Sequence, residues 1–239
     1  MKAVLLAAGI GSRLRPLTDS IPKCLVPVND KPLLDYWLNM TLDSKYISDV
    51  YINLHYLKNI VREHIDKNWK HEQRISLHTE VQLKGTAGTL CGLQRELIDS
   101  QLLVVHADNL SEFCLDEFIQ AHNKRPTGCF ITMMLFNTDA PSTCGIVELD
   151  KKDRVLCMHE KVANPPGNLA NAAVYIFEPE VLDWIATNHV TDISSEVIPA
   201  FQGKIYSWLN KVYHRDIGNP QSYALAQREF PTRTSPRPA

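Results

Sequence analysis

Two glycine-rich turns, a cluster of cations and an aspartate at the end of an apolar run carry the chemistry open to this chain. Gly9 and Gly11 follow the apolar run at residues 3–8, and Arg13, Arg15 and Lys23 come soon after. A short apolar run that meets a glycine at once reads as a buried strand of a parallel sheet. The glycines leave backbone N–H groups uncovered, and the cations add charge, so the stretch suits a phosphate. A second glycine pair, Gly85 and Gly88, brackets Thr86 and Ala87 ahead of an amphipathic helix expected at residues 89–98. That pattern fits either exposed N–H groups near a sheet edge or a plain loop before a helix. Asp108 ends the apolar run 102–106. An aspartate there is a turn former, a helix cap, or a ligand for a hard cation at the carboxyl end of a strand.

Several chemistries are excluded. The third glycine of a dinucleotide fingerprint would fall at Leu14, and Asn53 stands where that fold needs an acid after its second strand. No Gly-Lys-Ser/Thr closes a P-loop. Pro16 and Pro22 interrupt any helix that could start after Gly11, so the basic loop must be long and irregular. The six cysteines form no Cys-x-x-Cys pair and read as reduced thiols of a cytoplasmic protein. His55, His64 and His122 read as surface or helix-end residues. Net charge is −2, which offers nothing to a nucleic acid or an anionic membrane. No run reaches the about 20 apolar residues of a membrane span, and the N-terminus does not read as a signal peptide.

The string LAAGIGSRLRPLTDSIPKCLVPV, residues 6–28, resembles the signature of the sugar-1-phosphate nucleotidyltransferases. Cys24 departs from the proline that many members carry after the lysine. Other stretches are similar to the same family. Leu83-Lys84-Gly85-Thr86-Ala87-Gly88 resembles its base-recognition loop, in the form of members that use GTP, with Lys84 as an insertion. Ala107-Asp108-Asn109 resembles its Gly-Asp-Asn. Glu160-Lys161-Val162 resembles its Glu-Lys-Pro, and residues 171–177 its Asn/Gly-x-x-Val-Tyr-x-Phe strand. Residues 213–220 resemble its Trp-x-Asp-Ile-Gly-Thr-Pro, with Asn219 for threonine.

The resemblance implies transfer of a nucleotidyl group from an NTP, GTP in preference, to a sugar 1-phosphate, giving an NDP-sugar and pyrophosphate. The alternatives are the same reaction with UTP or dTTP, and a nucleotide-sugar sensor without catalysis. It implies Arg13, Lys23 and Lys161 as the catalytic cations. Leu6, Ala7, Ala8, Gly9, Gly11, Ser12 and Arg13, with Gln82, Gly85, Thr86 and Gly88, form the implied nucleotide-binding set. Glu80 is a second candidate acceptor for the base. Asn109, Gly145, Glu160, Lys161 and Asn171 are the implied sugar-binding set, and Asp108 and Asp216 the implied ligands of Mg²⁺. Compatible partners are the two substrates and, in a homodimer, a second copy. No long C-terminal extension follows, so an acetyltransferase activity is not expected.

These residues need a frame. Strands are expected at 49–53, 75–79, 102–106 and 129–136, alternating with helices at 32–42, 57–67 and 115–123; this predicts a parallel, doubly wound core. Residues 144–149, 155–159 and 169–177 read as strands with short breaks, with a hairpin turn at 150–153. A helix at 179–187, strands at 205–209 and 211–216 and a helix from 220 follow. The fold expected is α/β, a Rossmann-like three-layer αβα with a mixed, mainly parallel central sheet and a small antiparallel sugar-binding part. One catalytic domain is expected over 1–230, with a disordered tail at 231–239.

Overall fold

The computed structural model describes residues 1–230; the tail expected at 231–239 lies outside the described residues. In chain order the elements are β1 (Lys2–Leu6), β2 (Pro27–Val28), β3 (Lys31–Pro32), α1 (Leu33–Asp43), β4 (Asp49–Leu54), α2 (Lys58–Asn68) and β5 (Ile75–Thr79). Next come α3 (Thr86–Gly92), α4 (Gln94–Leu97), β6 (Leu102–His106), β7 (Asn109–Glu112), α5 (Leu115–Asn123), β8 (Ile131–Asn137), β9 (Gly145–Leu149) and β10 (Val155–Glu160). The last are β11 (Leu169–Phe177), α6 (Pro179–Asn188), α7 (Ile198–Ala200), β12 (Ile205–Leu209), β13 (Tyr213–Asp216) and α8 (Pro220–Glu229).

Apolar side chains on both faces of β1 and β6 require cover on both sides. Ala3, Leu5, Leu103 and Val105 pack with Trp37 and Leu38 of α1, Val61 and Ile65 of α2 and Phe118 of α5. Val4, Leu6, Leu102 and Val104 pack on the other face with Leu90 of α3 and Val181, Leu182 and Ile185 of α6. The result is the three-layer αβα arrangement around one mixed sheet. Its strand order is β10-β9-β11-β6-β1-β4-β5, with β8 beside β11 and β12 beside β8. β6, β1, β4 and β5 run parallel, while β11 turns antiparallel against β6, β8 and β9. Among the described residues no helix is long and apolar enough to cross a membrane.

Three local expectations change. The helix expected at 89–98 begins earlier, at Thr86, and breaks at Leu93 into α3 and α4. Its first turn gains backbone partners elsewhere: the Ala87 and Gly88 N–H groups donate to the Thr191 carbonyl at 2.9 and 3.3 Å. β7 was not expected, because its residues NLSE carry no clean alternation; it pairs antiparallel with β13, far along the chain. His122 stands in the last turn of α5, as the helix-end reading has it, but is fully buried rather than at the surface, held by Thr132 at 2.7 Å and Glu178 at 2.8 Å.

The basic loop is irregular, as expected, but anchored. Short 3-10 turns at Ser12–Leu14, Leu17–Asp19 and Lys23–Leu25 carry it. Gly11 sits at φ +69 and its carbonyl accepts from the Thr18 hydroxyl at 2.8 Å. Leu14, Val26 and Val28 bury beneath the loop with Leu33, Leu110 and Ile217. That cluster fixes where Lys23 can point.

Candidate active site

The carboxyl ends of β1, β4 and β6 open into a cleft of about 260 Å³. Leu6, Ala7, Ala8 and Gly9 form its floor, with Asn53 near the carboxyl end of β4, Glu80 after β5, and Gly85, Thr86 and Thr89 at the start of α3. His106, Asp108, Lys23 and Cys24 close the other side. A ligand site at the strands' carboxyl ends is where an open α/β sheet places one.

Lys23 is the centre of the charge. Its side chain is 7% exposed, and its ammonium donates to Asp108 Oδ2 at 2.5 Å and lies 3.6 Å from Asp216 Oδ1. One buried cation therefore faces two carboxylates that stay partly open to solvent. Burial works to raise the Asp108 carboxyl, but Lys23, His106 and hydrogen bonds from Lys23 and the backbone outweigh it and hold the group below the usual carboxylate range. Burial holds the His106 imidazole below its usual range, and its Nε2 has no hydrogen-bond partner. The Cys24 thiol is pushed up to about 12 by burial and by the charge of Asp108, so it stays protonated and is no nucleophile.

The carboxylate pair fits a hard divalent cation. Asp108, in the turn between β6 and β7, and Asp216, the last residue of β13, are brought together because Asp216 pairs with Asn109, and the backbone leaves them room. A Cβ on Gly218 would lie 2.5 Å from Asp216 Oδ2 and 3.1 Å from a guanidinium nitrogen of Arg13, so glycine is needed there. The same distances bring the Arg13 guanidinium close to Asp216, beside Lys23, although neither Arg13 nor Asp216 lines the cleft itself.

A hydrogen-bonded frame shapes the opposite wall. Asn53 Oδ1 accepts from the Ala7 N–H at 2.7 Å, and its amide donates to Glu80 Oε1 at 3.1 Å. The Thr89 hydroxyl donates to the same oxygen at 2.6 Å, and the Lys84 N–H to Glu80 Oε2 at 3.2 Å. The Leu6 carbonyl is also engaged, by the Ala107 N–H at 3.1 Å. The Ala7 N–H and Leu6 carbonyl thus serve the fold, and the floor meets a ligand with what remains.

Of the nucleotide-binding set, Leu6, Ala7, Ala8, Gly9, Gly85 and Thr86 line the cleft. Gly11 lies under Lys23, since a Cβ there would meet Lys23 Cβ at 3.0 Å. Ser12, Gln82 and Gly88 are not part of the wall; Gln82 points into solvent, and Gly88 lies against Lys84. Lys84 itself lies back along α3, its ammonium 3.0 Å from where a Gly92 Cβ would be. The insertion is thereby absorbed outside the cleft. Gly85, at φ +79, is glycine because a Cβ would lie 2.3 Å from the Thr191 carbonyl oxygen.

The sugar-binding set forms a second group. A Gly145 Cβ would lie 2.6 Å from Glu160 Oε2 and 3.1 Å from Met158 Sδ, and Lys161 Nζ pairs with Glu160 Oε1 at 3.0 Å. Asn171 donates to the Tyr175 hydroxyl at 2.7 Å and accepts from the Ala173 N–H at 2.9 Å, bracing an irregularity in β11. Asn109 is buried, and its amide donates to the Ala172 carbonyl at 3.2 Å. That bond ties the first residue of β7, next to Asp108, to the irregularity in β11 that begins at Asn171.

Sequence reasoning passed over Thr89, His106, Leu83 and Cys24 as cleft residues and used Asn53 only to exclude a dehydrogenase. Asn53 and His106 stand at the carboxyl ends of parallel strands, and that position was a readable signal.

A family model described as nucleotidyl transferase matches residues 2–233. The chain belongs to the nucleotidyl transferase family. It is 30% identical over 241 residues to the mannose-1-phosphate guanylyltransferase of Mycobacterium tuberculosis, covering 99% of this chain and 66% of that one. It is 32% identical over 238 residues to mannose-1-phosphate guanylyltransferase 1 of Arabidopsis thaliana, covering 96% and 64%. A Bacillus anthracis crystal structure, assigned as a glucose-1-phosphate thymidylyltransferase, superposes with a TM-score of 0.79 at 20% identity, covering 95% of this chain and 96% of that one. That likeness concerns the fold. This nucleotidyl transferase spans about two thirds of the length of the curated relatives it matches. The family generally uses divalent metal ions, in keeping with the Asp108–Asp216 pair.

Proposed function

We propose that this nucleotidyl transferase moves a guanylyl group from GTP to a sugar 1-phosphate, with Mg²⁺, in the cytoplasm. The observation that carries the reading is Lys23, buried between Asp108 and Asp216 at the mouth of a glycine-floored cleft. A sugar-phosphate oxygen attacks the α-phosphorus in line, and the bond to the β-phosphate oxygen breaks to release pyrophosphate. The attacking oxygen is already ionised near neutral pH, so the site needs charge and positioning rather than a base. Lys23 steadies the α-phosphate, Arg13 the departing pyrophosphate, and Lys161 the sugar phosphate. Mg²⁺, held by Asp108 and Asp216, would supply a hard Lewis acid for phosphate oxygens.

GTP is favoured by the relatives' names and by Glu80. This carboxylate is 2% exposed on the cleft wall and accepts from Thr89, Asn53 and the Lys84 N–H. A carboxylate offers about four acceptor positions, which leaves one for the donor edge of guanine.

The test is a grid of GTP, UTP, dTTP, CTP and ATP against sugar 1-phosphates, read as pyrophosphate release. Release led by GTP, abolished by a chelator and restored by Mg²⁺, is expected. Release led by another nucleotide rejects GTP and keeps the reaction class. No release with any pair rejects the reaction, and full activity in chelator rejects the metal.

A further inference from the structure

The outer face of the β9–β10 hairpin carries a thiol, an imidazole and a carboxylate together. Among the described residues, Glu148, Cys157 and His159 form the one group of three such donors whose ligand atoms all lie within 4.8 Å of one another. The pairing explains the cluster. Cys157 stands opposite Glu148 in the ladder, and His159 follows two residues later on the same face. His159 Nε2 already meets Glu148 Oε1 at 2.6 Å, and both side chains remain partly open to solvent. Met158 and Glu160 take the other face, toward Gly145. The cluster is therefore separate from the candidate active site.

We propose that Glu148, Cys157 and His159 bind a borderline-soft divalent cation of the Zn²⁺ class. One sulfur, one nitrogen and one carboxylate oxygen suit Zn²⁺, whereas Mg²⁺ takes oxygen donors alone. At ordinary Zn²⁺ bond lengths and tetrahedral angles the ligand atoms would stand about 3.5 Å apart. With all ligand atoms within 4.8 Å, the thiol needs to close by no more than about 1 Å, and the His159–Glu148 contact, at 2.6 Å, to open by about 1 Å, which side-chain rotation at a surface allows. The fourth position faces solvent and takes water. Binding replaces the thiol proton, which leaves to solvent, so the reaction releases H⁺.

The experiment titrates the full chain with Zn²⁺ under excess Mg²⁺, which saturates the Asp108–Asp216 pair, against a weak chromogenic chelator. One equivalent of Zn²⁺ retained by the protein is expected. Co²⁺ in its place should give a thiolate-to-metal charge-transfer band. Cys157→Ser together with His159→Gln should remove both the equivalent and the band while the thermal melt stays unchanged. Independently of any variant, Zn²⁺ should slow alkylation of Cys157, read by peptide mapping, and leave exposed Cys114 at its free rate. No retained Zn²⁺, an equivalent that survives in the double variant, or unprotected Cys157 overturns the proposal.

Discussion

Lys23 reads differently once its neighbours are known. As a sequence feature it is a cation in a basic loop; in the fold its ammonium stands 2.5 and 3.6 Å from two carboxylates. Either aspartate is then both a partner of a buried charge and a candidate metal ligand. Asp108→Asn and Asp216→Asn should each lower turnover at least a hundredfold while circular dichroism stays native. Near-normal Mg²⁺-dependent turnover in either variant sinks the metal assignment. Under the proposed roles Arg13 holds the departing pyrophosphate and Lys161 the sugar phosphate, so their losses should separate too. A charge-assisted contact to phosphate contributes on the order of 1.5–3 kcal/mol, or roughly tenfold to hundredfold in KM. Arg13→Ala should raise KM for the nucleotide and Lys161→Ala that for the sugar phosphate; equal effects on both substrates would contradict the division of roles.

At the scale of elements, the two glycine turns separate into different physics. A Cβ on Gly9 would meet nothing within 4 Å, while one on Gly85 would meet the Thr191 carbonyl at 2.3 Å from a backbone at φ +79. Gly9 keeps a floor open; Gly85 lets α3 dock on the segment that begins at Thr191. Gly9→Ala should thus leave the urea midpoint unchanged and weaken nucleotide binding. Gly85→Ala should cost on the order of 1–3 kcal/mol of stability from backbone strain, with the clash added. The measurements are urea unfolding and nucleotide KM for both variants, and a stable Gly85→Ala with ordinary binding would contradict the docking argument. Of the two motifs, the sequence made both glycines visible. It could not say which served the ligand, because Thr191 is remote in the chain and its carbonyl is what decides.

At the scale of the whole molecule, the sheet's other end holds a buried network. Glu178 accepts from His122 and Gln101 at 2.8 and 2.9 Å and pairs with Arg125 at 2.5 Å. Burial, then the charge of Arg125, lowers the His122 pKa to about 4, against the pull of Glu178. The unfolded chain therefore takes up this proton first, near pH 6.5, and the folded chain only near pH 4. Between those values the unfolded state binds more protons, so stability falls as pH drops, by up to ~1.4 kcal/mol per pH unit from this one group. Urea unfolding at pH 7 and pH 5 should show the loss, and His122→Gln should make the pH dependence shallower. An unchanged slope in that variant would remove His122 from the account.

The central strands, the helices over them and most cleft residues were legible because their information is local. β1 and β6 are apolar on both faces, so cover on both sides follows from composition alone. The ends of those strands place Gly9 and Asp108 without further help. The family motifs added Asp216, Lys161 and Asn171, which composition would not have singled out. What the tertiary structure alone decided depends on partners far apart in sequence. β7 exists because β13 pairs with it. α3 starts at Thr86 because the Thr191 carbonyl receives its first N–H groups. Glu80 is a shaped acceptor because Asn53 and Thr89 converge on one of its oxygens. His122 is buried, not at the surface, because Thr132 and Glu178 satisfy both ring nitrogens. A buried polar group is tolerated only where its hydrogen bonds are met, and whether they are met is a property of the folded contacts rather than of the local sequence.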